Sequence, residues 1–165
     1  MGIEIERKFL VTTLPSALPR PQRICQGYIC DDPGRVVRVR TMDDQAFLTV
    51  KGKTRHHTRP EYEYAIPPDD ARQMLDSLCL RPLIEKERYT IGFQGFSWVV
   101  DQFSGENQGL VLAEIELETP DQFVPFPPWI GREVSQDPRY FNSNLIAAPY
   151  ATWPHEPERI VPDQP

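Results

Sequence analysis

The 165-residue sequence contains only three cysteines and three histidines, the side chains on which disulfides and most zinc sites depend. Cys25, Cys30 and Cys79 are odd in number and show no C-x-x-C spacing, which argues against a paired disulfide framework and against a zinc site. Free cysteines are among the most frequently buried residues. We therefore expect all three thiols to lie in the core.

Long hydrophobic runs and an excess of positive charge are also missing. No apolar segment approaches the roughly 20 residues that span a membrane, and the amino terminus lacks the basic region and apolar stretch of a secretory signal. The 18 Lys and Arg residues stand against 24 Asp and Glu, which gives a net charge of −6. We expect a cytoplasmic protein whose partner is neither a nucleic acid nor a membrane.

Short runs of alternating polarity, separated by turn sequences such as DDPGR and SGENQG, fill most of the first 120 residues. This pattern is typical of an antiparallel sheet. Eight strands are predicted, over residues 3–11, 24–30, 35–42, 46–52, 59–66, 84–91, 96–103 and 110–118.

Two helices are predicted beside this sheet. Residues 67–80 begin with prolines and acidic residues and repeat apolar side chains at helical spacing, which predicts an amphipathic helix packed on the sheet. Residues 137–148 predict a short helix with Pro138 in its first turn. Residues 120–131 are proline-rich and are predicted to be irregular, and the proline-rich residues 151–165 are expected to form a flexible tail.

Charged side chains alternate with apolar ones along the predicted strands, and their signs are sorted by strand. Three strands carry a Glu-x-Glu pair: Glu4 and Glu6, Glu61 and Glu63, Glu114 and Glu116. Lys8 follows the first pair, and other strands carry bases at alternate positions: Arg38, Arg40, Lys51, Lys86 and Arg88. A solvated face would mix signs to form cross-strand pairs worth about 0.2 to 1 kcal/mol each. We therefore expect the charged face to line the inside of a closed barrel that holds ligand and water.

The two sets of charges suit a metal ion and a phosphate. Carboxylates two residues apart on a strand lie about 6.5 to 7 Å apart, so both can reach one metal cluster. Ligands that offer only oxygen favour Mg²⁺ or Mn²⁺ over zinc. Arginine binds phosphate oxygens with a planar fork, and lysine adds a compact charge. The pattern predicts a metal-dependent site for a short polyphosphate.

The same residues resemble a known family. EIERK is similar to the Glu-x-Glu-x-Lys signature of the CYTH superfamily, the triphosphate tunnel metalloenzymes that include class IV adenylate cyclases and thiamine triphosphatases. The similarity continues in order through VVRVR, LTVKG, EYEYAI, EKERY, WVVDQFSG, LAEIELE and WIGREVSQDPRYFNSNL, and so covers about residues 2–148. It implies an α+β, mainly antiparallel fold over residues 1–150: a closed eight-stranded antiparallel β-barrel, or tunnel, with flanking helices.

The resemblance also implies roles for individual residues. The implied metal ligands are Glu4, Glu6, Glu61, Glu63, Glu114 and Glu116, and Asp101 is a further candidate that binds metal, orients a base or forms a cross-strand salt bridge. The implied triphosphate-binding residues are Lys8, Arg38, Arg40, Lys51, Lys86 and Arg88, with Arg132 as an additional candidate at one mouth. Tyr28 is predicted to be a half-exposed strand residue, because tyrosines commonly are.

The resulting hypothesis is the hydrolysis of inorganic triphosphate to pyrophosphate and phosphate by a monomer or homodimer with two Mg²⁺ or Mn²⁺ ions. Lys8, Lys86, Glu4 and Glu6 are the expected catalytic residues. The attacking water is activated either by a metal ion or by one of the two lysines, whose charges would depress each other's pKa if they lie close.

Three alternatives stay open at this point. A class IV adenylate cyclase or a thiamine triphosphatase would use the same scaffold, but the compact opening and the absence of an obvious purine pocket favour the triphosphatase. A non-catalytic polyphosphate sensor would need the bases without the acids. The three Glu pairs weigh against the sensor.

Overall fold

The computed structural model describes residues 2–32, 34–53 and 58–154, except for the side chains of residues 2–4 and 58. Within these ranges the strands are β1 Gly2–Val11, β2 Gln22–Asp32, β3 Arg35–Met42, β4 Gln45–Gly52, β5 Thr58–Ala65, β6 Ile84–Phe93, β7 Phe96–Phe103, β8 Val111–Glu116 and β9 Ile130–Glu133. The helices are α1 Pro68–Ser77 and α2 Asn144–Ala147, and 3₁₀ turns occupy Gly105–Asn107, Pro138–Tyr140 and Tyr150–Thr152.

The nine strands form one sheet in the order β5-β4-β3-β2-β6-β7-β8-β1-β9, and β1 pairs in addition with β5. All the pairings are antiparallel. The mainly antiparallel α+β fold is therefore confirmed. The closed eight-stranded barrel is corrected to a nine-stranded sheet, because Ile130–Glu133 pairs with β1 at Phe9 and Val11. These four residues follow a proline-rich run, so alternation could not reveal them as a strand.

Alternation places apolar and charged side chains on opposite faces of the sheet, as predicted. Val39 is 0% exposed and packs under α1 with Ala46, Ala71 and Leu75. Ile115, on the same face of β8 as Ala113, packs in a second cluster with Trp98 and Phe9. These clusters hold the outer side of the sheet and leave the other side to the charged residues.

Helix α1 is the predicted amphipathic helix, shortened to Pro68–Ser77. Proline in its first turn and Asp69 and Asp70 beside it suit a helix start, because the free backbone N–H groups there favour negative charge. Ala71 and Leu75, four residues apart, are its buried face. The helix thus covers β3 and β4, the strands that carry Arg38 and Thr49.

The carboxy-terminal segment differs from the single helix predicted over residues 137–148. It forms the 3₁₀ turn Pro138–Tyr140 and then the one-turn helix α2. Buried Asn107 anchors this segment, because its amide nitrogen donates to the Leu145 carbonyl at 3.5 Å and its oxygen accepts from the Tyr150 N–H at 2.8 Å. The ring of Trp153 packs on Tyr140 and Tyr150, so packing continues past residue 150. Residues 155–165 of the predicted tail lie outside the described residues.

All three cysteines are free thiols, but each is partly exposed instead of fully buried. Cys79 lies directly over Gly27, where an added Cβ would come within 2.7 Å of the Cys79 Cβ. Only glycine therefore fits beneath this turn after α1. No helix in the described part of the chain has the length and apolar character needed to cross a membrane.

Candidate triphosphate site

The charged face encloses a cavity of about 780 Å³. Its wall is formed by β1 to β6, by β8 and by residues 135–144. The basic residues of the wall are Lys8, Arg35, Arg38, Arg40, Lys51, Lys53, Arg59, Lys86 and Arg88, and the acidic ones are Glu6, Asp31, Asp32, Glu61, Glu63, Glu114 and Glu116. A chain with a net charge of −6 thus concentrates an excess of two positive charges here. Such local concentration suits an anionic ligand.

Most of the predicted site residues lie together in this wall. The six bases Lys8, Arg38, Arg40, Lys51, Lys86 and Arg88 all line it, and so do the acids Glu6, Glu61, Glu63, Glu114 and Glu116. The side chain of Glu4 lies outside the described residues, although its backbone pairs with Arg59. Asp101 and Arg132 are not part of the wall.

Carboxylates on β5 hold the bases of β3 and β4. Glu63 accepts from Nη2 of Arg38 at 3.2 Å and from Nη2 of Arg40 at 3.1 Å. Glu61 lies 3.2 Å from Lys51 Nζ. These acids were predicted to bind metal. In the structure they are the partners of the bases, which would otherwise repel one another across the buried wall.

Both arginines of β3 keep one donor without a partner. The Nε atoms of Arg38 and Arg40 are buried and form no hydrogen bond with any part of the chain that the structure describes. A buried donor left unsatisfied costs about 1 to 3 kcal/mol. Arg38 and Arg40 nevertheless border the cavity, where their guanidinium groups place positive charge beside an anionic ligand.

Lys8 is buried beside Glu114, to which its ammonium group donates a hydrogen bond, and Glu6 lies 3.9 Å away. Burial alone would lower the pKa of Lys8, but the charges of Glu114 and Glu6 outweigh burial and raise the pKa above its ordinary value. Burial opposes ionisation of Glu114, yet Lys8, Lys86 and Arg88 hold its pKa well below the ordinary value. Lys8 and Glu114 are therefore a charged pair.

The pKa of Lys86 is shifted in the opposite direction, below its ordinary value. Burial lowers the pKa of Lys86 to about 8, because Asp101 only partly offsets burial and the charge of Arg88 lowers the pKa further. Lys8 is shifted upward by its acids, and the lowered pKa of Lys86 comes first from burial, so repulsion between the two lysines is not the main cause of either shift. The neutral amine is thus accessible near physiological pH at Lys86 and not at Lys8.

Asp101 lies behind the wall on β7 and is 1% exposed. Its carboxylate accepts from Lys86 Nζ at 2.5 Å and from Nε and Nη2 of Arg88, both at 2.7 Å. All these contacts go to bases, and Asp101 does not border the cavity. Of its three predicted roles, the geometry favours the cross-strand salt bridge, which also orients the two bases, over binding metal.

Glu6 and Glu116 are directly opposed on β1 and β8, and both line the cavity. Like charges in directly opposed positions destabilise a sheet unless a cation lies between them. Glu116 has no hydrogen bond or ion pair with any residue that the structure describes. This pair is the part of the wall that fits a metal ion best.

A complete metal cage is absent from the described residues, where no three His, Cys, Asp or Glu side chains are grouped to hold an ion. Magnesium commonly takes one or two carboxylates and completes its coordination with waters and substrate phosphates. Glu6 and Glu116 satisfy that requirement.

Sequence reasoning missed two residues of the wall, Arg59 and Asn142, and one buried residue behind it, Thr49. Thr49 on β4 bonds to both Arg38 and Glu63, and Arg59 lies 4.0 Å from Glu6. Asn142 accepts from Lys86 Nζ at 3.4 Å. A threonine in a strand and polar residues after a turn carry no distinctive pattern, although the even spacing of Thr49 and Lys51 placed Thr49 on the charged face.

One minor prediction is corrected, and another stays open. Tyr28 is 4% exposed and lines the cavity, where its hydroxyl accepts from Gln26 Nε2 at 3.0 Å and burial raises its pKa to about 12. Arg132 is exposed and outside the wall, and its Nη2 donates to the Tyr140 hydroxyl at 3.5 Å. β9 places it beside the carboxy-terminal turn, next to residues 135–144 of the wall, so its role at the mouth stays a prediction.

Known proteins are similar to this chain in sequence over most of its length. An inorganic triphosphatase of Acetivibrio thermocellus is 50% identical over 151 residues, which cover 91% of this chain and 97% of the relative. An inorganic triphosphatase of Nitrosomonas europaea is 35% identical over 147 residues, with 86% and 95% covered.

A solved structure, that of the inorganic triphosphatase NE1496, superposes with a TM-score of 0.65 at 33% identity and covers 90% of this chain and 97% of its own. A solved structure from Vibrio parahaemolyticus whose name contains "adenylate cyclase" is 19% identical with a TM-score of 0.51, which shows a shared fold alone. The family model described as the CYTH domain matches residues 2–150. The chain belongs to the CYTH domain family.

Proposed function

We propose that this protein is a metal-dependent inorganic triphosphatase, which uses water to cleave a terminal phosphate from triphosphate and releases pyrophosphate and phosphate. The observation that carries the proposal is the cavity that all six predicted bases line, which concentrates positive charge in an acidic chain. Two relatives that are 50% and 35% identical bear the name of this activity.

Substrate binding is assigned to the bases of the wall. Arg38 and Arg40 border the cavity and offer guanidinium groups to phosphate oxygens, and charge-assisted bonds of this kind are roughly twice as strong as neutral ones. Lys8 stays protonated because of Glu114, and it contributes a fixed positive charge. Lys51 on β4 and Arg88 on β6 also line the cavity and are assigned to bind the triphosphate.

The proposal includes Mg²⁺ or Mn²⁺. Glu6 and Glu116 would hold the ion, together with Glu4 if its side chain follows the alternation of β1. Such an ion, when bound, neutralises charge on phosphate oxygens and lowers the pKa of a coordinated water. A second ion would have to draw Glu114 away from Lys8 or Glu61 away from Lys51.

Lys86 is assigned as the general base. Its pKa of about 8 leaves part of the amine neutral at physiological pH, as a base that accepts a proton from water requires. Asp101 and Asn142 hold the amine at the cavity wall. Lys8 remains a binding residue, because a fully protonated ammonium group cannot accept a proton.

The alternatives receive less support. Relatives named for adenylate cyclase share only the fold at 19% identity or less, and most of the side chains that line the described cavity are charged. A sensor would not need the opposed acids Glu6 and Glu116. Cytoplasmic location, a monomeric or homodimeric state, and the division into a domain of residues 1–150 and a tail remain predictions.

The activity is tested by incubating the purified protein and Mg²⁺ separately with triphosphate, ATP and thiamine triphosphate, and identifying the products. We expect pyrophosphate and phosphate from triphosphate at the highest rate, because its charge matches the wall without an organic group to accommodate. A chelator should abolish turnover and leave the circular dichroism spectrum unchanged. Cyclic AMP from ATP, or tight binding of triphosphate without turnover, would contradict the proposal.

Glu116→Gln tests the metal site. The amide keeps the shape of the side chain and removes the charge, so the Mg²⁺ concentration for half-maximal activity should rise about tenfold, as for the loss of one charge-assisted contact. The KM for triphosphate at saturating Mg²⁺ should change less. Exposed Glu118→Gln is the matched control and should change neither quantity. An unaltered metal requirement in Glu116→Gln would remove Glu116 from the metal site.

The pH profile tests the base. A base works only when it is deprotonated, so kcat/KM should rise with pH and level off above the Lys86 pKa of about 8. Lys86→Arg keeps the positive charge but cannot lose its proton in this range, so the variant should lose most activity and the rising limb at pH 8. If the variant retains the wild-type profile, another group is the base.

A further inference from the structure

We propose that Thr49 is a positioning residue for substrate binding. Its buried hydroxyl fixes the carboxylate of Glu63, which then holds Arg38 and Arg40 by their Nη2 atoms and so aligns both guanidinium groups beside the cavity. The inference rests on the proposed function and deepens it, because it identifies what aligns the two arginines.

The sheet register puts Thr49 at the centre of this arrangement. Arg38 on β3 is directly opposite Thr49 on β4, and Thr49 is directly opposite Glu63 on β5. Neighbouring strands lie about 4.8 Å apart, and residues in directly opposed positions point to the same face. Arg38, Thr49 and Glu63 thus lie side by side in one row across three strands, with Thr49 in the middle.

The hydroxyl uses this position to bond in both directions. Thr49 Oγ1 donates to Glu63 Oε2 at 2.8 Å and accepts from Arg38 Nη2 at 3.1 Å. A hydroxyl has one donor and two acceptor sites, so both bonds form at once. The same Oε2 atom of Glu63 accepts the hydrogen bond from Thr49 and contacts Nη2 of Arg38 and of Arg40.

Thr49 cannot contact the substrate itself. It is 0% exposed, and it does not border the cavity, whereas Arg38, Arg40 and Glu63 do. Any effect of its hydroxyl on triphosphate must therefore pass through these three neighbours.

Electrostatics explains why Glu63 needs to be fixed. Burial and the nearby charge of Arg38 lower the pKa of Arg40, so the two guanidinium groups oppose each other. Burial alone would raise the pKa of Glu63, but the Thr49 hydrogen bond and the charges of Arg40 and Arg38 hold it below the ordinary value. The Glu63 side chain is 32% exposed, so once released it has room to turn into the cavity. There its charge would repel an anionic substrate.

The test compares Thr49→Val, which keeps the shape and removes the hydroxyl, with Thr49→Ser, which keeps the hydroxyl. Thr41→Val is the matched control. Thr41 lies on the outer face of β3, and its hydroxyl donates to the Cys25 carbonyl of β2. We expect Thr49→Val to raise the KM for triphosphate about tenfold, as for the loss of a hydrogen bond to a charged group. The kcat at saturating substrate should change less, and Thr49→Ser and Thr41→Val should stay near the wild type.

A double-mutant cycle shows whether Thr49 acts through Glu63. In a Glu63→Gln background, Thr49→Val should add little to the KM, because the carboxylate that it positions is already gone. A KM of Thr49→Val within twofold of the wild type would overturn the proposal. So would Thr49→Ser as impaired as Thr49→Val, which would make the methyl group responsible. If Thr49→Val does not fold, Thr49→Ala takes its place in the same comparison.

A readout without turnover separates this inference from the proposed function. The ¹H–¹⁵N signals of the Arg38 and Arg40 Nε–H groups should shift and exchange with water faster in Thr49→Val than in the wild type and in Thr41→Val. Unchanged signals would overturn the role of Thr49, whatever substrate the protein cleaves. Altered signals in a protein that leaves triphosphate intact would uphold the positioning and reject the triphosphatase.

Discussion

The structure depends on ion pairs that neutralise the charged side chains on the inner face of the sheet. Strand geometry sends every second side chain to the inner face, and six bases there, Lys8, Arg38, Arg40, Lys51, Lys86 and Arg88, would repel one another without partners. Carboxylates on neighbouring strands supply those partners, so Glu63 holds two arginines, Glu61 holds Lys51 and Glu114 holds Lys8. The apolar outer face, packed under α1 and around Trp98, provides the stability that this inner face lacks.

The charged residues of the site differ in their partners, and these differences set their charge states. Lys8 faces Glu114 and Glu6 and keeps its proton, whereas Lys86 shares Asp101 with Arg88 and has a lowered pKa. The same logic separates the acids. Those that bond to bases align them for phosphate, while Glu6 and Glu116 oppose each other and call for a cation. One repeated motif, the charged alternate position, therefore supplies both the bases of the wall and the opposed carboxylates.

Much of this could be predicted from the sequence, because alternation fixes the face of every strand residue. It placed the six bases and five of the acids in the wall, and located α1. It could not assign partners, since register decides that Glu63 faces Thr49 and Glu6 faces Glu116. It missed β9, whose four residues are too few to show a period. The burial of Tyr28 follows from the cavity wall as a whole.

The central claim is that the charged face binds triphosphate and the apolar face supports the sheet. Arg38 and Val39 are consecutive residues on opposite faces of β3, so Arg38→Ala and Val39→Ala test it side by side. Calorimetric titration with triphosphate at saturating Mg²⁺ should show affinity about ten- to a hundredfold weaker in Arg38→Ala, as for a lost charge-assisted bond. Val39→Ala should keep the affinity and melt at a lower temperature. Lost binding in Val39→Ala, with only a lower melting temperature in Arg38→Ala, would contradict the account.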